Sequence, residues 1–137
     1  MKEVGVVVPT LGTRGEYFAT CLQSLKDSNV GHVCVVCPSH VDITKFIEDG
    51  LVHQKVDDPG KGLAAAINAG VKSLPQNVSV INWLGDDDYV NPSSIDAALS
   101  VLTSNNQRSW FMGHTHMLIK AAMWFGGIVL EPSLQKS

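Results

Sequence analysis

Asp86-Asp87-Asp88 is the densest chemistry in the 137-residue sequence: three consecutive carboxylates placed directly after the apolar run Val78 to Leu84. Neighbouring like charges repel, so such a run calls for a compensating cation or for full solvation. Hard carboxylate oxygens suit Mg2+ or Mn2+, whose shell a nucleotide diphosphate can complete. Asp86, Asp87 and Asp88 are therefore candidate metal ligands. A solvated acidic turn that caps the next helix accounts for the same residues without a metal.

Other signals are weaker one by one. Gly12-Thr13-Arg14-Gly15 follows an apolar run and can bring backbone close to a phosphate, although it lacks the full dinucleotide fingerprint and also reads as an ordinary glycine-rich loop. Lys61 stands between Gly60 and Gly62, either as a phosphate contact or as a solvated side chain. His114 and His116 have the two-residue spacing of ligands on one strand face, but two imidazoles are too few to specify zinc. Asn68 falls inside an Ala-rich helical stretch where its propensity is poor, which fits a hydrogen-bonding role near a site or simple tolerance.

The elements that must position these residues alternate: short β-branched runs and longer helical ones, the pattern of stacked βαβ units with a mostly parallel sheet. Val4 to Val8 is apolar on both faces, as a central parallel strand requires, and Pro9 ends it. Phe18, Cys21, Leu22 and Leu25 recur at helical spacing between Gly15 and Asp27. Further strands are expected at His32 to Cys37, near Leu51 to Val56, and at Val78 to Leu84, with helices around Asp42 to Glu48 and over Leu63 to Leu74. Asn91-Pro92 has the form of an N-cap followed by proline at the first helical position, opening a helix to about Thr103. Trp110 to Ile119 reads as one more strand. In open α/β sheets ligands bind beyond the carboxyl ends of the strands, and those ends carry Pro9-Thr10, Pro38-Ser39, Asp57-Asp58 and Asp86-Asp87-Asp88.

Composition narrows the classes. A hydrophobic content of 45% over 137 residues supports one domain with a continuous core. The net charge of -3, with ten scattered Lys and Arg residues, argues against a nucleic-acid partner. The sequence has no apolar run of the roughly 18 residues that span a bilayer, nor the form of a signal peptide at its start, so a cytoplasmic protein is expected. Cys21, Cys34 and Cys37 are an odd count that reads as free buried thiols; Cys34 and Cys37 fall on opposite faces of a strand, which argues against a redox pair.

Taken in order, several segments resemble family 2, GT-A-type glycosyltransferases over Val4 to Leu102. Val6-Val7-Val8-Pro9-Thr10 is similar to that family's opening strand, and Cys21 to Leu25 to its Cys-Leu-x-Ser-Leu helix. Asp58-Pro59-Gly60-Lys61-Gly62-Leu63 running into Ala66-Ile67-Asn68-Ala69-Gly70 is similar to its acidic-Pro-x-Lys-Gly and Ala-x-Asn-x-Gly segments, and Trp83 to Tyr89 to its DxD region. The resemblance implies a Rossmann-like α/β fold and metal-dependent, inverting transfer of a sugar from a UDP- or GDP-sugar to an acceptor hydroxyl that the sequence does not identify. It assigns substrate contacts to Pro9, Thr10, Arg14, Ser39, Asp58, Lys61, Asn68 and Asp86, and places the catalytic cation, Mn2+ or Mg2+, on Asp86, Asp87 and Asp88. Asp87 and Asp88 thereby count as catalytic.

Two departures accompany it. Cys37-Pro38-Ser39 stands where the family has one or two aspartates for the base and ribose. Only 49 residues follow Asp88, and Glu131 is the sole carboxylate after Asp96, hence the sole downstream candidate for the base that deprotonates the acceptor. The expected organisation is one nucleotide-sugar-binding domain over residues 1–137, with a core to about residue 104 and residues 105–137 as a remnant of the acceptor half. The apolar tail, with Trp110, Phe111, Trp124 and Phe125 among its residues, is expected to form a homodimer contact. A non-catalytic nucleotide-sugar-binding or assembly domain is the alternative. Nucleotidyl transfer on a related scaffold is a third reading, to which Arg14 lends some support although the usual glycine-rich, arginine-containing loop is incomplete.

Overall fold

Six strands make one sheet in the order β3-β2-β1-β4-β6-β5. They belong to a computed structural model in which residues 3–104, 110–112 and 117–120 are described. The strands are β1 (Glu3–Pro9), β2 (His32–Cys37), β3 (Gln54–Asp57), β4 (Val78–Trp83), β5 (Trp110–Met112) and β6 (Met117–Lys120). The helices are α1 (Gly15–Asp27), α2 (Thr44–Glu48), α3 (Leu63–Ser73) and α4 (Pro92–Ser104). β1 pairs in parallel with both β2 and β4, and β2 with β3. β6 pairs antiparallel with β4 and with β5. This is the mostly parallel, Rossmann-like α/β fold with flanking helices that the alternation of the sequence predicts.

Strand alternation assigns the two faces. Val4, Val6 and Val8 pack with Phe18, Cys21, Leu22 and Leu25 of α1 and with Ile95 of α4. Val7, Cys34 and Val36 pack with Ala66, Ile67 and Val71 of α3 on the other face. β1 is thus buried on both sides, the condition that its unbroken valine run requires. Full burial of a leucine such as Leu22 or Leu25 contributes about 1.5–3 kcal/mol each. Cys34 and Cys37 lie in opposite clusters, and all three cysteines are buried free thiols.

The local signals at helix ends hold. Asn91 Oδ1 accepts from the backbone N–H of Ser93 at 2.9 Å, the N-cap that Asn91-Pro92 predicts. Asn29 takes a left-handed φ of 57° just past α1, where the N–H of Val30 reaches back to Leu25 O. Some boundaries move. β3 begins at Gln54 rather than near Leu51, and α2 is only Thr44–Glu48, held by the edge-on contact of Phe46 with Phe18 at 5.1 Å.

The strand expected over Trp110 to Ile119 is two strands, with β6 seated between β4 and β5. His114 and His116 fall in residues 113–116, outside the described residues, as do Trp124, Phe125 and Glu131. Among the described residues no helix is long and apolar enough to cross a membrane.

Candidate functional site

β1, β3 and β4 all run in the same direction, so their carboxyl ends open on one edge of the sheet. A cleft of about 450 Å³ lies there, lined by Pro9, Thr10, Leu11, Thr13, Arg14, Asp58, Gly60, Gly62, Leu63, Ala66 and Asp86. Five of the residues assigned to substrate from the sequence (Pro9, Thr10, Arg14, Asp58 and Asp86) therefore meet in one place.

The first wall is the end of β1 and the loop after it. Thr10 continues the strand by donating its N–H to Val36 O of β2 at 2.9 Å, and the residue is buried. Its hydroxyl donates to Asp86 Oδ2 at 2.7 Å and accepts from the N–H of Gly12 at 3.0 Å. Gly12 has φ of 81°, and a Cβ there would sit 2.9 Å from two Val41 methyl carbons, so glycine alone allows this turn. The turn brings Arg14 back over the acidic run, where Nε lies 3.2 Å from Asp86 Oδ1 and Nη1 lies 3.2 Å from Asp87 Oδ2.

The acidic turn itself is supported from beneath. Asp88 N–H donates to Gly85 O at 3.0 Å, the Cys21 thiol donates to the same carbonyl at 3.6 Å, and Ser24 Oγ accepts from Val90 N–H at 3.0 Å. Burial, and after it the nearby Asp86, Asp88 and Asp87, push the Cys21 thiol up to about 12. The same cause acts on Cys34, also raised to about 12, first by burial and then by Cys37. Neither thiol is a nucleophile near neutrality.

The opposite wall is the loop into α3. Asp58 Oδ1 accepts from the N–H of Gly60 at 2.8 Å, and Gly60 and Gly62 both take positive φ, 72° and 98°. Gly62 is the N-cap of α3 and supplies no side-chain hydrogen bond, so the first N–H groups of that helix carry no side-chain cap where they border the cleft. Leu11 and Leu63, 65% and 50% exposed, face the same space. They are apolar side chains in contact with solvent where a ligand can cover them.

Five assigned residues among those described do not line the cleft. Ser39 is exposed, and its carbonyl accepts from Lys55 Nζ at 3.4 Å. Lys61 is exposed at the crest of the loop between the two cleft glycines. Asn68 is half buried in α3, with an Oδ1 that finds no hydrogen-bond partner among the described residues. Asp87 and Asp88 stand exposed beside the cleft mouth rather than in its wall.

Asp86, Asp87 and Asp88 supply hard oxygen donors that suit Mg2+ or Mn2+. Asp86 has both oxygens engaged, by Thr10 and Arg14, while the carboxylate of Asp88 accepts no hydrogen bond from a described residue. Among the described residues no group of three His, Cys, Asp or Glu side chains is arranged to hold a metal. Asp88 is thus the carboxylate of the three that neither Thr10 nor Arg14 engages among the described residues.

Sequence reasoning gave no site role to Leu11, Leu63 or Cys21, whereas the Gly12-Thr13-Arg14-Gly15 loop that it read as a possible approach to phosphate does supply Thr13 and Arg14 to the cleft. Of the three, Leu63 carried a local signal, an apolar residue in a polar loop.

No protein-family profile matches the sequence, and no curated protein matches it. Solved structures do match in fold. S. aureus TarS 1–349 is 20% identical with a TM-score of 0.61, over 76% of this chain and 33% of its own. The 4-diphosphocytidyl-2C-methyl-D-erythritol synthase of Anaerococcus prevotii is 10% identical with a TM-score of 0.64, over 89% and 73%. Rv0371c of Mycobacterium tuberculosis, solved in complex with manganese, is 12% identical with a TM-score of 0.58, over 85% and 70%. The chain thus spans about a third of the length of TarS 1–349 and most of the other two. The shared architecture is the fold of GT-A glycosyltransferases and nucleotidyltransferases.

Proposed function

We propose that this chain is the donor-binding part of a transferase that uses a nucleoside diphosphate sugar. The observation that carries the reading is the cleft at the carboxyl ends of β1, β3 and β4, with Arg14 and Asp86 in one wall and Asp58 and the start of α3 in the other. The uncapped N-terminus of α3 and the Arg14 guanidinium offer donors and positive potential to a diphosphate. Asp58 repels phosphate and accepts hydrogen bonds, so it suits ribose hydroxyls or base N–H groups. Leu11 and Leu63 cover the apolar surface of the ligand.

In this reading Asp87 and Asp88 hold Mn2+ or Mg2+ together with the diphosphate, and Asp86 holds Thr10 and Arg14 in place. A bound cation would neutralise the charge that develops on the departing diphosphate. The inverting displacement, the acceptor and the base assigned to Glu131 stay proposals that rest on the resemblance, as does a cytoplasmic location. The manganese complex of Rv0371c supports the choice of metal.

The test is a melting series. UDP and GDP should raise the melting temperature, and more with Mn2+ than with EDTA, because a ligand that binds only the folded state stabilises it by mass action. Asp87→Ala and Asp88→Ala should remove the metal-dependent part and keep the fold. No shift with any nucleoside diphosphate would overturn the reading. A chain that binds these ligands without turnover, hydrolysis included, is the non-catalytic binding domain instead.

A second reading, nucleotidyl transfer, is favoured by the presence of Arg14 in the cleft wall after β1. Release of pyrophosphate from a nucleoside triphosphate and a sugar phosphate would select it; release of a nucleoside diphosphate from a nucleotide sugar would select sugar transfer.

A further inference from the structure

We propose that Lys55, which lies outside the cleft on β3, is a positioning residue for it: its ammonium ties down the loop that follows β2, and that loop backs the Gly12 turn on which the first wall of the cleft is built. The tether stands on geometry alone; its consequence for a ligand rests on the nucleotide reading above.

β3 is an edge strand, and Lys55 pairs in register with Val35 of β2. Side chains alternate along a strand, and Val56 packs on the α3 face, so Lys55 belongs to the α1 face. From there Nζ donates to Val41 O at 2.8 Å and to Ser39 O at 3.4 Å. Both carbonyls belong to residues 38–43, the connection from β2 to α2. It closes on itself through Val41 N–H to Pro38 O at 3.0 Å, and Ile43, 2% exposed, anchors its far end. Between those points Ser39 and His40 are exposed and contribute little packing. A charged donor shared by two carbonyls is a stronger restraint on such a backbone than a neutral one.

The side chain that this loop carries inward is Val41. It packs at the margin of the α1-side core, and two of its methyl carbons would lie 2.9 Å from a Cβ at Gly12. Gly12 therefore holds its left-handed turn in close contact with Val41. The Gly12 N–H donates to Thr10 Oγ1, the Thr10 hydroxyl donates to Asp86, and the turn returns Arg14 to Asp86 and Asp87. Leu11, Thr13 and Arg14 of the cleft wall all lie on it. Release of the Val41 carbonyl loosens the backing of Gly12 and, through it, that wall. A ligand must then order the wall as it binds, and this cost lowers its affinity.

The experiment compares the full chain with Lys55→Met, which keeps an apolar stem and removes the donor, and with Lys55→Arg, which keeps a charged donor. Amide hydrogen exchange followed by NMR reads the loop without any ligand. In Lys55→Met the Val41 and Gly12 amides should exchange about fivefold faster, the size that one partly exposed hydrogen bond supports, while Val7 and Val35 in the sheet keep their rates. Lys55→Arg should restore the parent rates, and Lys55→Gln serves if the methionine variant does not fold. UDP, titrated by calorimetry, should bind Lys55→Met about fivefold more weakly than it binds the parent or Lys55→Arg. Unchanged exchange at Val41 and Gly12 would overturn the tether. Equal acceleration at all four amides would do the same, since Lys55 would then only add to the stability of the whole fold. Faster exchange at Val41 and Gly12 with undiminished UDP affinity would establish the tether and sink the positioning role. No UDP binding by the parent would overturn the nucleotide reading and the ligand effect with it, while the exchange rates still decide the tether.

Discussion

The hydroxyl of Thr10 donates a 2.7 Å hydrogen bond to Oδ2 of Asp86, tying the carboxyl end of β1 to that of β4 across 76 residues of chain. The bond is buried at Thr10, 5% exposed, and its acceptor is charged. Thr10→Val keeps the shape and removes the donor, leaving the Gly12 N–H without its acceptor as well. Since a hydrogen bond to a charged group contributes roughly 1.5–3 kcal/mol, discounted here for the partial exposure of Asp86, a loss of about 1–2 kcal/mol is expected in urea unfolding. Thr10→Ser should recover most of it; two variants of equal stability would show the bond to be incidental.

Gly70 lies where α3 packs tightly against β1 and β2. A Cβ there would lie 2.5 Å from Val7 Cγ1 and 2.8 Å from Val36 Cγ2, both on side chains with a stiff χ1. Overpacking of about 1–3 kcal/mol outweighs the gain of up to about 1 kcal/mol in helix propensity, so Gly70→Ala should destabilise. Gly15→Ala, at the first residue of α1 with nothing within 4 Å of the added carbon, should be neutral or stabilising. The comparison of the two by denaturant unfolding separates packing from propensity.

Base discrimination should be weak. Ser39 stands outside the cleft and Cys37 is buried in the core, so Asp58 is the acidic group left in the cleft wall near the end of β2. A site with few directed hydrogen bonds rejects wrong bases poorly. Calorimetry with UDP, GDP, CDP and ADP should give affinities within about tenfold of one another. Asp58→Asn, which keeps the oxygen that Gly60 uses, should weaken all four; a large preference for one base in the parent would mean that another residue reads it.

Alkaline pH should destabilise the fold through its thiols. Cys21 and Cys34 are raised from 9.0 to about 12 in the folded state, chiefly by burial. The folded chain keeps these protons where the unfolded chain loses them, so their stabilising effect is complete below pH 9 and declines as pH rises toward 12. Urea midpoints at pH 7, 9 and 10.5 should fall over the last interval, and Cys34→Ala should lessen the slope. An unchanged slope would place the titration elsewhere.

The apolar composition of the sequence after Trp110 predicts self-association. Light scattering across a concentration series should give a dimer mass that shifts toward monomer in Trp124→Ala with Phe125→Ala. A monomer mass up to high micromolar concentration would exclude it.

Much of this protein is legible in its local sequence. The valine run of β1, the stripe Phe18, Cys21, Leu22 and Leu25, and the Asn91-Pro92 helix start each act over one or two turns or one strand, so periodicity and capping chemistry suffice to read them. Parallel pairing then obliges the residues after β1, β3 and β4 to share an edge, which is why the meeting of Thr10, Asp58 and Asp86 at one cleft was legible in the sequence. What only the tertiary structure decided is which side chains meet there. Arg14 and Asp86 are far apart in sequence, and their pairing depends on a left-handed turn at Gly12 that is packed against Val41. Ser39, equally well placed at a strand end, turns outward, and β6 enters the sheet between β4 and β5. Local patterns set each element because they compete only with neighbouring backbone; strand order and side-chain convergence are set by long-range packing, for which no short stretch of sequence carries the register.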